Sequence, residues 1–257
     1  MVGEGSEGRR ELFNNIAPVY DQLNDALSLG LHRVWKVRTV GCADLTRVGL
    51  TRGQQATVQW ACVPVGGRAL DVCCGSGDLA LRLAQAVGPA GSVTALDFAQ
   101  AQLARAAERE AALLASDAAR ARVDWLQGDA LALPFPDDHF HAATCGYGLR
   151  NVVDIPLALQ QLLRVLRPGA KAALLDFNHS ESPLTTVVQS AFLDALVVPA
   201  ARAAGVAPEY EYLKQSIAAF PSGPQLQALA RTAGFQKAVH YELAGGLMGV
   251  LVCTKAE

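Results

Sequence analysis

The chain has 257 residues, 51% of them hydrophobic and 18% charged. This excludes a disordered polypeptide and fits one large α/β domain with a full core. A formal net charge of -2 gives no general basic field for a phosphate backbone, so no nucleic-acid partner is expected. The six cysteines (Cys42, Cys62, Cys73, Cys74, Cys145 and Cys253) show no CxxC spacing. Reduced thiols are therefore expected, and no metal site.

Met1–Arg10 is rich in Gly and Glu and has no apolar signal core, so no targeting peptide is expected there. No apolar run is long enough to span a bilayer. From Glu11 to about Val48 the pattern is helical, with breaks at Pro18 and Gly30. A polar stretch, Thr51–Thr57, leads to the turn-rich boundary Pro64-Val65-Gly66-Gly67. Beyond it, short apolar runs alternate with longer amphipathic ones. Strands are expected at Arg68–Val72, Ser92–Asp97, Val123–Gln127, His141–Cys145 and Lys171–Phe177. Helices are expected at Gly77–Val87, Ala99–Ser116 and Ile155–Leu166, the last stopped by Arg167-Pro168-Gly169. The alternation implies a parallel sheet with helices on both faces. After Asn178 the rhythm lapses into an insertion, roughly Ser180–Ser216. A helix at Gln225–Ala233 and a strand pair, Gln236–Glu242 with Gly249–Thr254, close the chain. The division expected is a helical cover over residues 1–66 and a domain over 67–257.

The strongest chemical signal is the run from Leu70 to Leu79, in which a strand enters a small-residue turn that opens a helix. Gly75 and Gly77 let a ligand approach the backbone, and the helix start offers free N–H groups. Asp97, twenty residues after Gly77, ends the second strand, where a carboxylate can accept both ribose hydroxyls. Gly75–Ala80 also satisfies the GxGxxA form of a dinucleotide fingerprint. Two features favour S-adenosylmethionine over a dinucleotide. Asp71 would oppose a pyrophosphate but suits an ammonium group, and Gly128-Asp129-Ala130 places a carboxylate where an adenine amine can meet it.

At this point the chain resembles the ubiquinone/menaquinone-biosynthesis C-methyltransferases, from about Leu12 to Lys255. The resemblance is carried by Phe13–Asp21, Leu29–Lys36, Leu133–Pro136, Gly148–Val152, Arg164–Gly169 and Tyr212–Ile217. Cys73–Gly77, Gly146–Asn151, Glu209–Lys214 and Gly245–Gly249 are similar to the plant and cyanobacterial branch, which methylates demethylphylloquinone. Cys73 departs from the glycine that many methyltransferases place there, and His141 replaces an aspartate usual after Phe140.

The resemblance implies a class I S-adenosylmethionine-dependent methyltransferase (Rossmann-like) fold, a doubly wound seven-stranded sheet with a helical N-terminal cover. It implies cofactor contacts at Ser76, Asp97, Asp129, Ala130 and Gly146. With the residues read above, the cofactor set is Asp71, Gly75, Ser76, Gly77, Asp97, Phe98, Asp129, Ala130 and Gly146. The implied reaction is C-methylation of a reduced prenylated naphthoquinone. A phenol-like pKa near ~10 leaves about 0.1% ionised at pH 7, and a nearby cation raises that fraction. Arg150 is the candidate cation, with Asn151 orienting the quinol oxygen; pairing of Arg150 with a structural acid such as Asp154 is the alternative. His32 and Asp21 are the candidates for proton transfer, and Tyr20, Trp35, Tyr147 and Tyr212 for the substrate wall. Asp176, ending the fifth strand, suits either a structural or a functional role. Phe192–Val198 suits a prenyl-tail wall or membrane contact, core packing, or a homodimer contact. The family implies a chloroplast setting in a plant or alga and a cytoplasmic or peripheral-membrane one in a cyanobacterium. Competing readings are a methyltransferase on another quinone or lipid, a catalytically silent scaffold, and an NAD-dependent reductase.

Overall fold

Runs such as Arg68–Val72, in which four successive residues are buried, form strands covered on both faces, as a central parallel sheet requires. The computed structural model describes residues 53–114, 120–178 and 215–257. Within them the order is α1 (Gly53–Ala61), β1 (Arg68–Val72), α2 (Asp78–Val87), β2 (Ser92–Asp97), α3 (Gln100–Leu114), β3 (Val123–Gln127) and β4 (Phe140–Gly146). There follow a 3-10 turn (Leu149–Asn151), α4 (Ile155–Val165), β5 (Leu166–Phe177), α5 (Gly223–Thr232), β6 (Lys237–Leu243) and β7 (Met248–Thr254).

The seven strands lie in the order β3-β2-β1-β4-β5-β7-β6. β1 pairs in parallel with β2 and β4, and β7 runs antiparallel between β5 and β6. The chain order reverses between β1 and β4, which makes a crevice at the carboxyl ends of these strands the expected ligand position. One core joins α4 and α5 to the sheet through Leu159, Leu162, Leu226 and Ala230. Cores on the other side join α1, α2 and α3 through Val58, Trp60, Leu83 and Leu103. The sheet is thus doubly wound, as the alternating pattern implied.

Two local expectations change. The stretch beginning at Thr51 is not simply a polar lead-in, because residues 53–61 form α1. Thr57, Val58, Trp60 and Ala61 are buried on it, so the core extends across the boundary expected at residues 66 and 67. Arg167-Pro168-Gly169 ends α4 but belongs to β5, with Gly169 in a left-handed conformation that bends the strand start. The helical cover before residue 53, and with it Tyr20, Asp21, His32 and Trp35, lies outside the described residues. The same is true of most of the insertion, including Phe192–Val198 and Tyr212.

Candidate cofactor and acceptor site

The turn between β1 and α2 is built from alternating left-handed residues, Cys73 (φ 54), Gly75 (φ 53) and Gly77 (φ 89). Such alternation turns successive backbone N–H groups toward one concavity. Gly77 caps α2 and offers its first turn no side chain, while the Ala80 N–H of that turn is directed to Asp71. The position admits no side chain: a Cβ at Gly77 would stand 2.6 Å from the Trp125 ring. The loop is fixed to β2 by the Cys74 N–H donating to Leu96 O at 3.1 Å. It is fixed again by the Gly75 N–H donating to Asp97 Oδ2 at 2.8 Å.

Asp97 therefore does two things. It orders the glycine loop and its own turn, accepting also from the Ala99 N–H at 2.9 Å, and it lines a cleft beside that loop. Burial raises its pKa, against the lowering effect of these backbone bonds. Phe98, Asp129 and Ala130 line the same cleft. Asp129 is exposed and receives the Leu131 N–H at 2.9 Å, a short turn that holds its carboxylate at the rim.

Asp71 is buried on β1. Its Oδ1 accepts from Thr144 Oγ1 at 2.6 Å, while Oδ2 has no hydrogen-bond partner. Burial pushes its pKa up to about 7, with the bonds from Thr144 and the Ala80 N–H opposing. An orphaned buried carboxylate oxygen is costly unless a donor completes it, and an ammonium group would. Ser76 is buried, and its hydroxyl and carbonyl both receive Arg109 Nη1, at 2.8 and 2.7 Å. Arg109 also meets Asp78 at 2.6 Å, so α3 clamps the loop from behind. Gly146 ends β4; a Cβ there would press on Leu79 of α2 at 2.8 Å, so its bareness serves packing.

The expected acceptor side is the turn after β4. Tyr147 adopts φ 58, a strained value for a side chain that large, and its backbone lines the cleft with Gly148 and Asn151. The Tyr147 carbonyl receives Arg150 Nη1 at 2.6 Å and Asn151 Nδ2 at 3.2 Å. The acid beside Arg150 is Asp176, not Asp154. Arg150 Nη1 meets Asp176 Oδ1 at 2.7 Å with both side chains over nine-tenths buried, and the Arg150 N–H donates to Asp176 Oδ2 at 3.1 Å. Asp154 instead caps α4 through the Leu157 N–H. Asn151 lines the cleft and Arg150 does not. Apolar Val152, Val153 and Leu131 complete the rim.

Thus the structure brings Gly75, Asp97, Phe98, Asp129, Ala130, Tyr147 and Asn151 to one cleft, and sets Asp71, Ser76, Gly77, Gly146 and Arg150 behind its walls. Gln102, which the sequence reading passed over, also lines it. Its signal was present: Ala99, Gln102, Leu103, Ala106 and Glu110 form one buried stripe at helical spacing, and Gln102 is a polar member of it.

The profile of the ubiE/COQ5 methyltransferase family matches residues 1–255. The chain is 54% identical over 241 residues to a 2-phytyl-1,4-naphtoquinone methyltransferase of Synechococcus elongatus, covering 94% of each chain. It is 46% identical over 250 residues to the chloroplastic 2-phytyl-1,4-beta-naphthoquinone methyltransferase of Arabidopsis thaliana, covering 97% of this chain and 88% of that one. A SAM-dependent methyltransferase from Aquifex aeolicus shares the fold at a TM-score of 0.57 and 19% identity, over 82% of this chain and 93% of that one. With a family match over nearly its whole length, the chain belongs to the ubiE/COQ5 methyltransferases.

Proposed function

We propose that this enzyme methylates a ring carbon of a reduced prenylated naphthoquinone, converting demethylphylloquinol to phylloquinol. The observation that carries the acceptor is the 54% identity, over 94% of the chain, to a methyltransferase named for 2-phytyl-1,4-naphthoquinone. The methyl donor is S-adenosylmethionine, and the residues fit it. The orphaned Asp71 Oδ2 suits the ammonium, Asp97 the ribose hydroxyls, and Phe98 with Asp129 the adenine.

The cofactor supplies an electrophilic methyl group. The protein's part is to order the donor against the acceptor and to raise the nucleophilicity of a ring carbon by favouring the ionised neighbouring hydroxyl. Asn151, on the cleft wall, can orient that oxygen. Arg150 acts less as a naked cation than the sequence alone suggested, because the Asp176 carboxylate lies against it at 2.7 Å. Its remaining work is to hold Tyr147 and Asn151 in place, with the pair's field reaching the acceptor only at second hand. His32 and Asp21 stay candidates for taking the proton, and Tyr20, Trp35 and Tyr212 for the substrate wall. The organisms of the two relatives support a chloroplast or cyanobacterial setting. Among the described residues no helix is long and apolar enough to cross a membrane. Contact of Phe192–Val198 with a bilayer surface or a second copy extends the same proposal.

The test is an assay with chemically reduced demethylphylloquinone beside ubiquinone and sterol precursors. Phylloquinol is expected as the only methylated product. Turnover of another acceptor with none of this one would overturn the assignment.

A further inference from the structure

Helix α3 carries two buried polar side chains on its inner stripe, eight residues apart. Glu110, 8% exposed, is completed by the protein: its carboxylate receives the Val123 N–H at 2.7 Å and Trp125 Nε1 at 2.8 Å. Gln102, 1% exposed, is not. Among the described residues neither its Oε1 nor its Nε2 has a hydrogen-bond partner, and the residue lines the cleft beside Asp97 and Phe98. A buried amide with both ends unpaired costs several times what a typical net hydrogen bond returns, and native structures hold few such groups outside functional sites. The stripe position itself calls for an apolar residue, since its stripe neighbours Ala99, Leu103 and Ala106 are apolar.

We propose that Gln102 is a recognition residue for the adenosine part of the methyl donor, its amide closing hydrogen bonds with the bound nucleoside that the protein leaves open. The inference rests on the cofactor reading above and deepens it. An amide offers one acceptor and a donor side by side. Adenosine presents the matching pairs, either the ribose hydroxyls, each donor and acceptor, or the N6–N7 edge of adenine, a known partner for a Gln amide. The position of Gln102 suits the ribose. It follows Asp97 by five residues and lines the same cleft, while Asp129 follows β3, the strand paired with β2. Each Asp97 oxygen already accepts one backbone N–H, at 2.8 and 2.9 Å. Both Asp97 oxygens are acceptors toward the backbone, so a neighbouring amide adds a donor on the same cleft for the hydroxyl lone pairs.

Calorimetry with S-adenosylhomocysteine and its 2′-deoxy analogue, on wild type and Gln102→Met, tests this. Met keeps the volume and flexibility of the side chain without its polar ends. The variant is expected to bind S-adenosylhomocysteine about tenfold more weakly, or ~1.4 kcal/mol. It is expected to lose most of the wild type's discrimination against the 2′-deoxy analogue. Its apoprotein should melt higher, because an orphaned amide has been removed; a residue needed only for packing would not weaken binding while strengthening the fold. Side-chain amide NMR of the unmutated protein gives a second reading, with the Gln102 NH2 signals shifting on addition of S-adenosylhomocysteine. Wild-type binding with an unchanged Kd in Gln102→Met overturns the role of Gln102. Absence of binding by wild type overturns the cofactor reading instead.

Discussion

Gly148 and Cys73 share a space that admits one side chain. A Cβ placed at Gly148 would overlap the Cys73 Cβ and lie 3.1 Å from both the Cys73 and Cys145 sulfurs. Gly148→Ala must therefore displace the turn after β4 or the glycine loop, and both line the cleft. The expected outcome is at least a tenfold loss of S-adenosylhomocysteine affinity by calorimetry, with the far-ultraviolet circular dichroism unchanged. Asp71 gives a prediction in pH. Its carboxyl is raised from an ordinary value of 3.8 to about 7, so between those values the folded apoprotein holds a proton that the unfolded chain has released. Its contribution to stability is then full below about pH 4 and is lost as pH rises to about 7. The wild-type apoprotein should lose melting temperature across this window relative to Asp71→Asn. Affinity for S-adenosylhomocysteine should rise over the same window in wild type, as the carboxylate proposed to meet the ammonium becomes charged, and stay low and flat in the variant. Equal slopes for the two proteins would remove Asp71 from the ammonium site. Arg150 and Asp176 form the third residue-scale case. Removing one partner from a buried pair strands the other, at roughly 3–5 kcal/mol. Arg150→Ala should therefore lower stability as well as turnover, with loss in both seen by thermal melting and by kcat.

The loop from Cys73 to Gly77 is placed by its neighbours on β2 and α3 as much as by its own glycines. Arg109 reaches back from α3 to Ser76 and Asp78 while its side chain stays 40% exposed. Such a half-solvated clamp is worth about 1 kcal/mol or less. Arg109→Ala should accordingly weaken cofactor binding by no more than about fivefold in calorimetry; a larger loss would mean that Arg109 touches the ligand itself. The elements were legible where one physical signal dominated. β1 and β2 lie where the apolar runs do, because parallel strands inside the sheet are buried on both faces, whereas β3 at the sheet edge leaves Asp124 and Gln127 exposed. α1 was not legible, since Gln54, Gln55 and Thr57 read as a polar lead-in and only tertiary packing against β5 and β7 makes residues 53–61 a covering helix. The site followed the same rule. Asp71, Gly75, Gly77 and Asp97 announce themselves by type and spacing. The choice of Asp176 over Asp154 as the partner of Arg150 depends on β5 lying next to β4, a pairing that no local pattern contains. Gln102 hid in an Ala-rich helix, where a polar residue on the inner stripe carries no meaning until its partners, present for Glu110 and missing for Gln102, are seen.

At the scale of the whole molecule, the cleft stands at the order reversal of the sheet, with walls from the ends of β1, β2, β3 and β4. These strands belong to one sheet with cores on both faces, so a ligand that bridges their ends stabilises the native state and has nothing to bind in the unfolded chain. Linkage then sets a magnitude: at a hundredfold excess over Kd, binding adds ~2.7 kcal/mol. For a chain of this length each kcal/mol moves the midpoint by roughly 2–4 °C. S-adenosylhomocysteine should therefore raise the melting temperature by roughly 5–10 °C, and NADH, whose pyrophosphate would face Asp71, should leave it unchanged. Asp97→Ala removes the anchor of the glycine loop and the acceptor for the ribose together, so the same addition should shift the variant by less than about 2 °C. A full shift in that variant would place the nucleotide elsewhere in the molecule, and a shift with NADH in the wild type would return the GxGxxA reading of Gly75–Ala80 to contention.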